Sequence, residues 1–164
     1  MITISQVTTK DIPLVKRLLS YTWNDTYSDF YPIKVIKKIT SVWHDPKKLA
    51  QQAADQNIFF AMAKNEQGEL IGLITIRKTD ENTMFISRLY IHPEHQRKGI
   101  GTQLMQTALN YFPKLKLLKL ECEKQNNKAC SFYLKHGFKI IKEKEESIEG
   151  ILIKTVEMEK LLNK

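Results

Sequence analysis

The chain has 164 residues, 42% of them hydrophobic and 27% charged, and its 26 Lys and Arg outnumber its 18 Asp and Glu for a formal net charge of +8. That length supports one compact domain with a genuine core, so residues 1–164 read as a single domain. The apolar fraction and the intermixed charges exclude a disordered tail, and the longest apolar stretches, residues 58–63 and 70–76, are far shorter than the roughly 20 residues that cross a bilayer.

Ile2, Ile4 and Val7 alternate with polar neighbours as a short strand does, and Thr8 and Thr9 then offer helix-capping hydroxyls. Ile12, Val15, Leu18 and Leu19 fall on one face of the helix that follows. Between Pro32 and Ala54, the positions Ile36, Ile39, Trp43, Leu49 and Ala53 predict two short helices broken near Asp45-Pro46. Three strands are expected over 58–63, 70–77 and 84–91, joined by short turns as an antiparallel meander. His92-Pro93 ends the third, because proline lacks the amide that a sheet needs. The period then changes: Ile100, Leu104, Met105, Ala108 and Phe112 recur at helical spacing until Pro113. A strand is expected over 115–122, then a helix capped by Asn126 or Asn127 and stopped by Gly137, then strands over 138–143 and 151–158. This is an α+β domain on one mixed sheet.

Cys122 and Cys130 cannot build a disulfide framework, and no metal-ligand spacing surrounds them, so both read as small core residues and no metal is expected. The N-terminus lacks a basic segment followed by a long apolar run, which makes a cytoplasmic protein the expectation. The +8 charge suits an anionic partner: nucleic acid, a membrane surface or a polyphosphorylated small molecule. Dispersed Lys and Arg, without a helix-turn-helix or RNA-binding aromatic motif, argue against nucleic acid.

Between the third meander strand and the next helix lies Gln96-Arg97-Lys98-Gly99-Ile100-Gly101-Thr102. A strand, a glycine-bearing loop and a helix N-terminus bring unpaired amides together and can cradle phosphate oxygens. No Gly-x4-Gly-Lys-Ser/Thr spacing is present, and Leu104 stands where a dinucleotide fingerprint needs its third glycine.

Here the sequence resembles the GNAT superfamily of acetyl-CoA-dependent N-acetyltransferases. The loop 96–101 matches the family's Gln/Arg-x-x-Gly-x-Gly/Ala form, and Leu89-Tyr90-Ile91-His92-Pro93 is similar to its hydrophobic strand ending in His/Asn-Pro. A second block, Asn126-x-x-Ala129-x-x-Phe132-Tyr133-x-x-x-Gly137-Phe138, resembles another family segment at the expected distance downstream. The resemblance implies a mostly antiparallel mixed sheet of about seven strands flanked by helices and splayed between the fourth and fifth strands. It implies pyrophosphate binding by the backbone from Arg97 through Thr102, with positive charge from Arg97 and Lys98 and a contribution from Gln96. The pantetheine arm would pair with Leu89, Tyr90 and Ile91 like an added strand, and Asn126 would contact it or hold the loop.

The resemblance also makes Tyr133 the general acid, a phenol whose ordinary pKa near 10 matches an alkyl thiolate. Leu120-Glu121-Cys122 is similar to the Leu-Glu-Val segment in which enzymes acting on ribosomal-protein N-termini carry a basic glutamate, so Glu121 is the candidate base. Alternation sets it on the face opposite Leu120 and Cys122. A solvated strand glutamate with deprotonation through water is the alternative, and Ser87 stands where many members carry a carboxylate. Direct transfer in a ternary complex is implied, with Cys122 inert on the core face. The acceptor is expected to be a small-molecule or peptide amine.

Tyr21-Thr22-Trp23-Asn24-Asp25-Thr26-Tyr27 resembles a segment of a GNAT branch that includes polyamine acetylators; Trp23, Tyr27 and Tyr31 fit a satellite core equally well. The net charge disfavours a polycation unless Asp25, Asp29, Glu145, Glu146 or Glu149 makes the cleft acidic. The competing reading is a catalytically silent acyl-CoA-binding module. Either a monomer or a homodimer is expected.

Overall fold

The computed structural model describes residues 1–162; Asn163 and Lys164 lie outside the described residues, and with them the last two positions of the expected domain. The strands are β1 (Thr3–Gln6), β2 (Ile58–Lys64), β3 (Leu70–Lys78), β4 (Thr83–Ile91), β5 (Leu117–Glu123), β6 (Lys139–Ile148) and β7 (Ile151–Leu161). The helices are α1 (Ile12–Tyr27), α2 (Ile33–Trp43), α3 (Pro46–Ala54), α4 (Ile100–Tyr111) and α5 (Asn127–Lys135). All seven strands form one sheet in the order β1-β2-β3-β4-β5-β7-β6, antiparallel except for the parallel β4–β5 pair. This is the α+β architecture expected.

Helix boundaries follow local chemistry. The Asp45 carboxylate accepts from the amides of Lys47 and Lys48, and Pro46 follows, so the α2–α3 break is both a proline stop and a capped start. Asn126 caps α5 by accepting from the Ala129 amide at 3.1 Å, and Gly137 ends that helical segment with φ +84°. Thr8 does not cap α1 directly. It is tied to Asp11 in a short 3-10 turn, and α1 begins at Ile12.

The two faces of the sheet are covered differently. On one, Ile100, Leu104, Met105 and Ala108 of α4 pack on Ile74, Ile76, Ile86, Leu118 and Leu120. On the other, Val15, Leu18 and Leu19 of α1 and Leu49 of α3 pack on Phe60, Met62 and Leu73. A third cluster continues that face: Trp23, Tyr27 and Tyr31 with Val35, Ile36 and Ile39 of α2 and Ile153 of β7.

Three strands depart from the sequence expectation; β7 runs on to Leu161, past the expected 158. β5 starts at Leu117 rather than 115: the Leu115 amide donates to the Phe112 carbonyl at 3.2 Å, closing the turn after α4 instead of pairing in the sheet. β6 runs to Ile148, well past 143, through Lys144-Glu145-Glu146-Ser147, a segment without apolar alternation. Its residues are mostly exposed and it forms a sheet edge, so its stability comes from pairing with β7 rather than from burial. Glu149 and Gly150, at φ 52° and 76°, make the tight two-residue turn that fixes this register.

Candidate active site

β4 and β5 pair only from Thr83↔Leu117 to Ile86↔Leu120. Beyond that point Arg88, Leu89, Tyr90 and Ile91 pair with β3 alone, and Glu121, Cys122 and Glu123 pair with β7 alone. The cause is visible in the β3 register, which passes from Ile76↔Ile86 to Thr75↔Arg88 and leaves Ser87 as a bulge. A bulge bends its strand and increases the local twist, which turns β4 away from β5. The result is a V-shaped cleft in which Leu89, Tyr90 and Ile91 present one backbone edge without a strand partner.

The loop at the end of β4 has a backbone that can converge on an anion. Arg97 at φ 63° and Gly99 at φ 80° both adopt the left-handed conformation, and Gly99 is the N-cap of α4. Alternating handedness turns successive amides towards one point, and the first amides of α4 have no intrahelical partner. A Cβ at Gly99 would meet nothing within 4 Å, so this side of the loop is open. At Gly101 the situation is reversed, since a Cβ would stand 3.3 Å from the Phe132 ring of α5. Arg97 and Lys98 are exposed.

Gln96 turns inward instead, its side-chain amide donating to the Ile91 carbonyl at 3.2 Å and tying the loop to β4. The Thr102 hydroxyl lies 3.0 Å from His136 Nε2, and His136 Nδ1 lies 2.7 Å from the Phe132 carbonyl. A carbonyl only accepts, so Nδ1 carries the hydrogen, and Nε2 engages the Thr102 hydroxyl. This leaves the Thr102 amide, not its side chain, for a ligand.

Tyr133 of α5 is 8% exposed and packs edge-on against Phe132 and Phe138. Burial pushes its phenol well above the ordinary value, and the neighbouring Cys122, Tyr90 and Cys130 push in the same direction. The ordinary value near 10 assumed from sequence therefore needs correcting. Burial pushes the neighbouring Cys122 thiol up as well. Tyr90 and Tyr27 are raised mainly by burial too; Asn126 opposes the shift at Tyr27. The three phenols therefore stay protonated at neutral pH.

The opposite wall carries two carboxylates. Glu121 is exposed, as alternation with buried Leu120 and Cys122 requires, but it accepts from Thr155 Oγ1 at 2.6 Å and from Lys144 Nζ at 3.2 Å. Lys144 also bridges to Glu157 at 2.6 Å. Glu123, two residues on and on the same face, is buried: the Tyr31 hydroxyl donates to one carboxylate oxygen and the Gln125 amide to the other at 3.2 Å. Among the described residues no cation pairs with Glu123. Alternation could have set Glu123 beside Glu121, but its burial depends on Tyr31, 92 positions away, and no local signal reports that. Burial and Glu123 in turn push the Tyr31 phenol upward.

Aromatic residues close this wall. Trp23 Nε1 donates to the Tyr90 hydroxyl at 3.0 Å, and Tyr27 and Tyr31 stack at 6.3 Å between centroids. Trp23, Tyr27 and Tyr31 thus form a buried cluster and also border the cleft. Deeper on this face, Arg88 is buried and donates to Gln52 Oε1 at 2.7 Å and the Trp43 carbonyl at 2.8 Å. His44 beside it is 2% exposed, and its pKa is lowered to about 3 by burial and then by the charges of Arg88 and Lys16. Two of the acids that could have made the cleft acidic are met by lysines, Glu145 by Lys154 at 3.2 Å and Glu149 by Lys34 and Lys38 at 3.9 and 3.8 Å.

No helix among the described residues is long and apolar enough to cross a membrane, and no group of His, Cys, Asp and Glu among them could hold a metal ion.

Known proteins share this arrangement. A spermidine N(1)-acetyltransferase of Thermoplasma acidophilum is 28% identical over 145 residues, 85% of this chain and 89% of that protein. The peptidyl-lysine N-acetyltransferase YiaC of Escherichia coli is 31% identical over 103 residues, 60% of this chain and 62% of its own length. The PaiA N-acetyltransferase of Thermoplasma acidophilum, solved in complex with coenzyme A, superposes with a TM-score of 0.85 at 24% identity over 99% of both chains, which shows the same fold. The family model of the GNAT acetyltransferases matches residues 20–138, which span both the loop and the Asn126–Phe138 block, and the chain belongs to the acetyltransferase (GNAT) family.

Proposed function

We propose that this protein transfers the acetyl group of acetyl-CoA directly to the primary amine of a cationic small molecule or peptide. The observation that carries the reading is the β4–β5 cleft, with the left-handed pair Arg97 and Gly99 at one end and buried Tyr133 in its wall. Family membership and the coenzyme A complex of the similar fold support it. The open space at Gly99 and the unpaired amides at the α4 N-terminus fit a pyrophosphate. Arg97 and Lys98 add charge, while the free edge of Leu89, Tyr90 and Ile91 fits an extended amide-bearing arm. Acetyl-CoA supplies the activated thioester.

The residues of the chain then divide the work. A buried carboxylate met only by neutral donors is costly without a cation, so Glu123 seats the acceptor's ammonium among Trp23, Tyr27 and Tyr31. Glu121, the base that the resemblance implies, is the solvent-open carboxylate on that face. It takes the acceptor's proton only after exchanging Lys144 or Thr155 for the amine or a bridging water. Attack on the thioester carbonyl forms the new C–N bond, and open β4 amides donate to the oxyanion. Tyr133 gives its hydroxyl proton to the sulfur as the C–S bond breaks, and the second proton lost by the acetylated nitrogen restores the phenol through solvent.

Thiol release from acetyl-CoA with a panel of polyamines, amino acids, aminoglycosides and lysine or N-terminal peptides tests this. Turnover with at least one cationic amine is expected. A rise in melting temperature with acetyl-CoA but no turnover on any amine would instead identify a silent acyl-CoA-binding module, and no rise would contradict both readings.

A further inference from the structure

The reaction leaves two nucleophilic side chains unused. Cys122, at the cleft end of β5, and Cys130, in the first turns of α5, are both free, and their sulfurs lie 3.6 Å apart. Each also approaches the Glu123 carbonyl at 3.6 Å, so the pair converges on one point from two different elements. The two residues differ in access: Cys122 is buried, whereas Cys130 is only half-buried. A disulfide needs its sulfurs about 2 Å apart, so the pair has to close by about 1.5 Å to form one. We propose that Cys122 and Cys130 form a reversible redox pair, closed to a disulfide by hydroperoxide-class oxidants, that displaces Tyr133 in the neighbouring cleft.

The chemistry balances without a metal. The more accessible Cys130 sulfur attacks the peroxide, taking one oxygen as a sulfenic acid and releasing water. Cys122 sulfur attacks that sulfenic sulfur: the S–S bond forms, the S–O bond breaks, and the Cys122 proton leaves with the hydroxide as a second water. In sum, two thiols lose two electrons to one hydrogen peroxide. Burial raises the Cys122 thiol, which makes it a poor nucleophile towards solvent-borne reagents; its contact with Cys130 supplies the missing advantage as effective concentration. A dithiol reductant reverses the step by exchange.

The consequence for catalysis rests on the acetyl-transfer reading; the thiol chemistry does not. Cys130 is on the helix that carries Tyr133, and the Tyr133 phenol senses both sulfurs. Drawing α5 towards β5 displaces Tyr133 relative to the cleft, and a misplacement of about 1 Å costs on the order of 10²-fold in rate.

The test treats the full chain with stoichiometric hydrogen peroxide and follows intact mass, peptide mapping and thiol release. Expected are a loss of about 2 Da, a mapped Cys122–Cys130 linkage and a roughly tenfold or greater fall in turnover that dithiothreitol restores. Cys130→Ser should keep its turnover through the same treatment and show no mass loss. Oxygen additions without the 2-Da loss, a linkage between two chains, or a disulfide that leaves turnover unchanged would overturn the proposal. If untreated protein turns over no amine, the acetyl-transfer reading fails, and the mapped linkage still decides whether the redox pair exists.

Discussion

The Tyr31 hydroxyl donates to the carboxylate of Glu123, joining the α1–α2 connection to the free end of β5 across the mouth of the cleft. Hydrogen bonds to charged groups contribute about 1.5–3 kcal/mol, and the same carboxylate is assigned to the acceptor's ammonium. Glu123→Gln should therefore raise KM for the amine by about tenfold or more, while the melting-temperature rise produced by acetyl-CoA persists. Steady-state kinetics with the amine varied checks this. An unchanged KM would remove Glu123 from acceptor binding.

Glu121 is predicted to behave differently. Its carboxylate is exposed and already held by Lys144 and Thr155, so it contributes little to acceptor affinity. Glu121→Gln should lower kcat by about 10²-fold and leave the amine KM within about threefold, because general base catalysis is worth on the order of 10²–10⁴. A kcat within twofold of the parent, measured at saturating amine, would assign deprotonation to solvent.

The loop makes a backbone prediction. Gly99 sits at φ +80° with open space where a side chain would project. Gly99→Ala meets no clash, yet it costs roughly 1–2 kcal/mol for the left-handed conformation. The variant should melt at lower temperature and bind acetyl-CoA more weakly, measured by calorimetry. Relaxation to an ordinary φ, with the amides no longer convergent, accounts for both effects.

His44 gives the acid stability a definite sign. Its folded pKa, lowered to about 3, lies below the ordinary 6.5, so between these values the unfolded chain binds a proton that the folded one excludes. The contribution of His44 is fully present above pH 6.5 and is lost as pH falls towards about 3. The upper part of that window precedes most carboxylate titration. Melting temperature should therefore fall on acidification from about pH 6.5 to 5, and His44→Phe should flatten this part of the curve. A parallel fall in both proteins would assign the acid sensitivity elsewhere.

Much of the fold was legible because its signals are local. The continuous apolar runs of β2 and β3, the helical period from Ile100 to Ala108, and the breaks at Pro46, Pro93 and Gly137 each depend on neighbouring residues. The length of β6 was not legible, since an edge strand of Lys and Glu is held by pairing rather than by an apolar face. The same division runs through the site. The phosphate loop and Tyr133 lie in contiguous motifs, whereas the burial of Glu123 by Tyr31, the Trp23–Tyr90 hydrogen bond and the Arg88–Gln52 contact span 92, 67 and 36 positions. Cys122 is the core thiol that the sequence suggested, whereas Cys130 is only half-buried, and their mutual contact appears only when α5 is docked on β5.

In the proposed mechanism the β4–β5 cleft transfers acetyl groups with Tyr133 as the proton donor. The most direct measurement compares thiol release from acetyl-CoA by the parent protein and by Tyr133→Phe, each with its best amine, beside the melting-temperature rise that acetyl-CoA produces. The predicted result is a kcat lower by about 10²-fold or more in the variant, with the temperature rise nearly unchanged. Equal turnover in the two proteins would contradict the assignment.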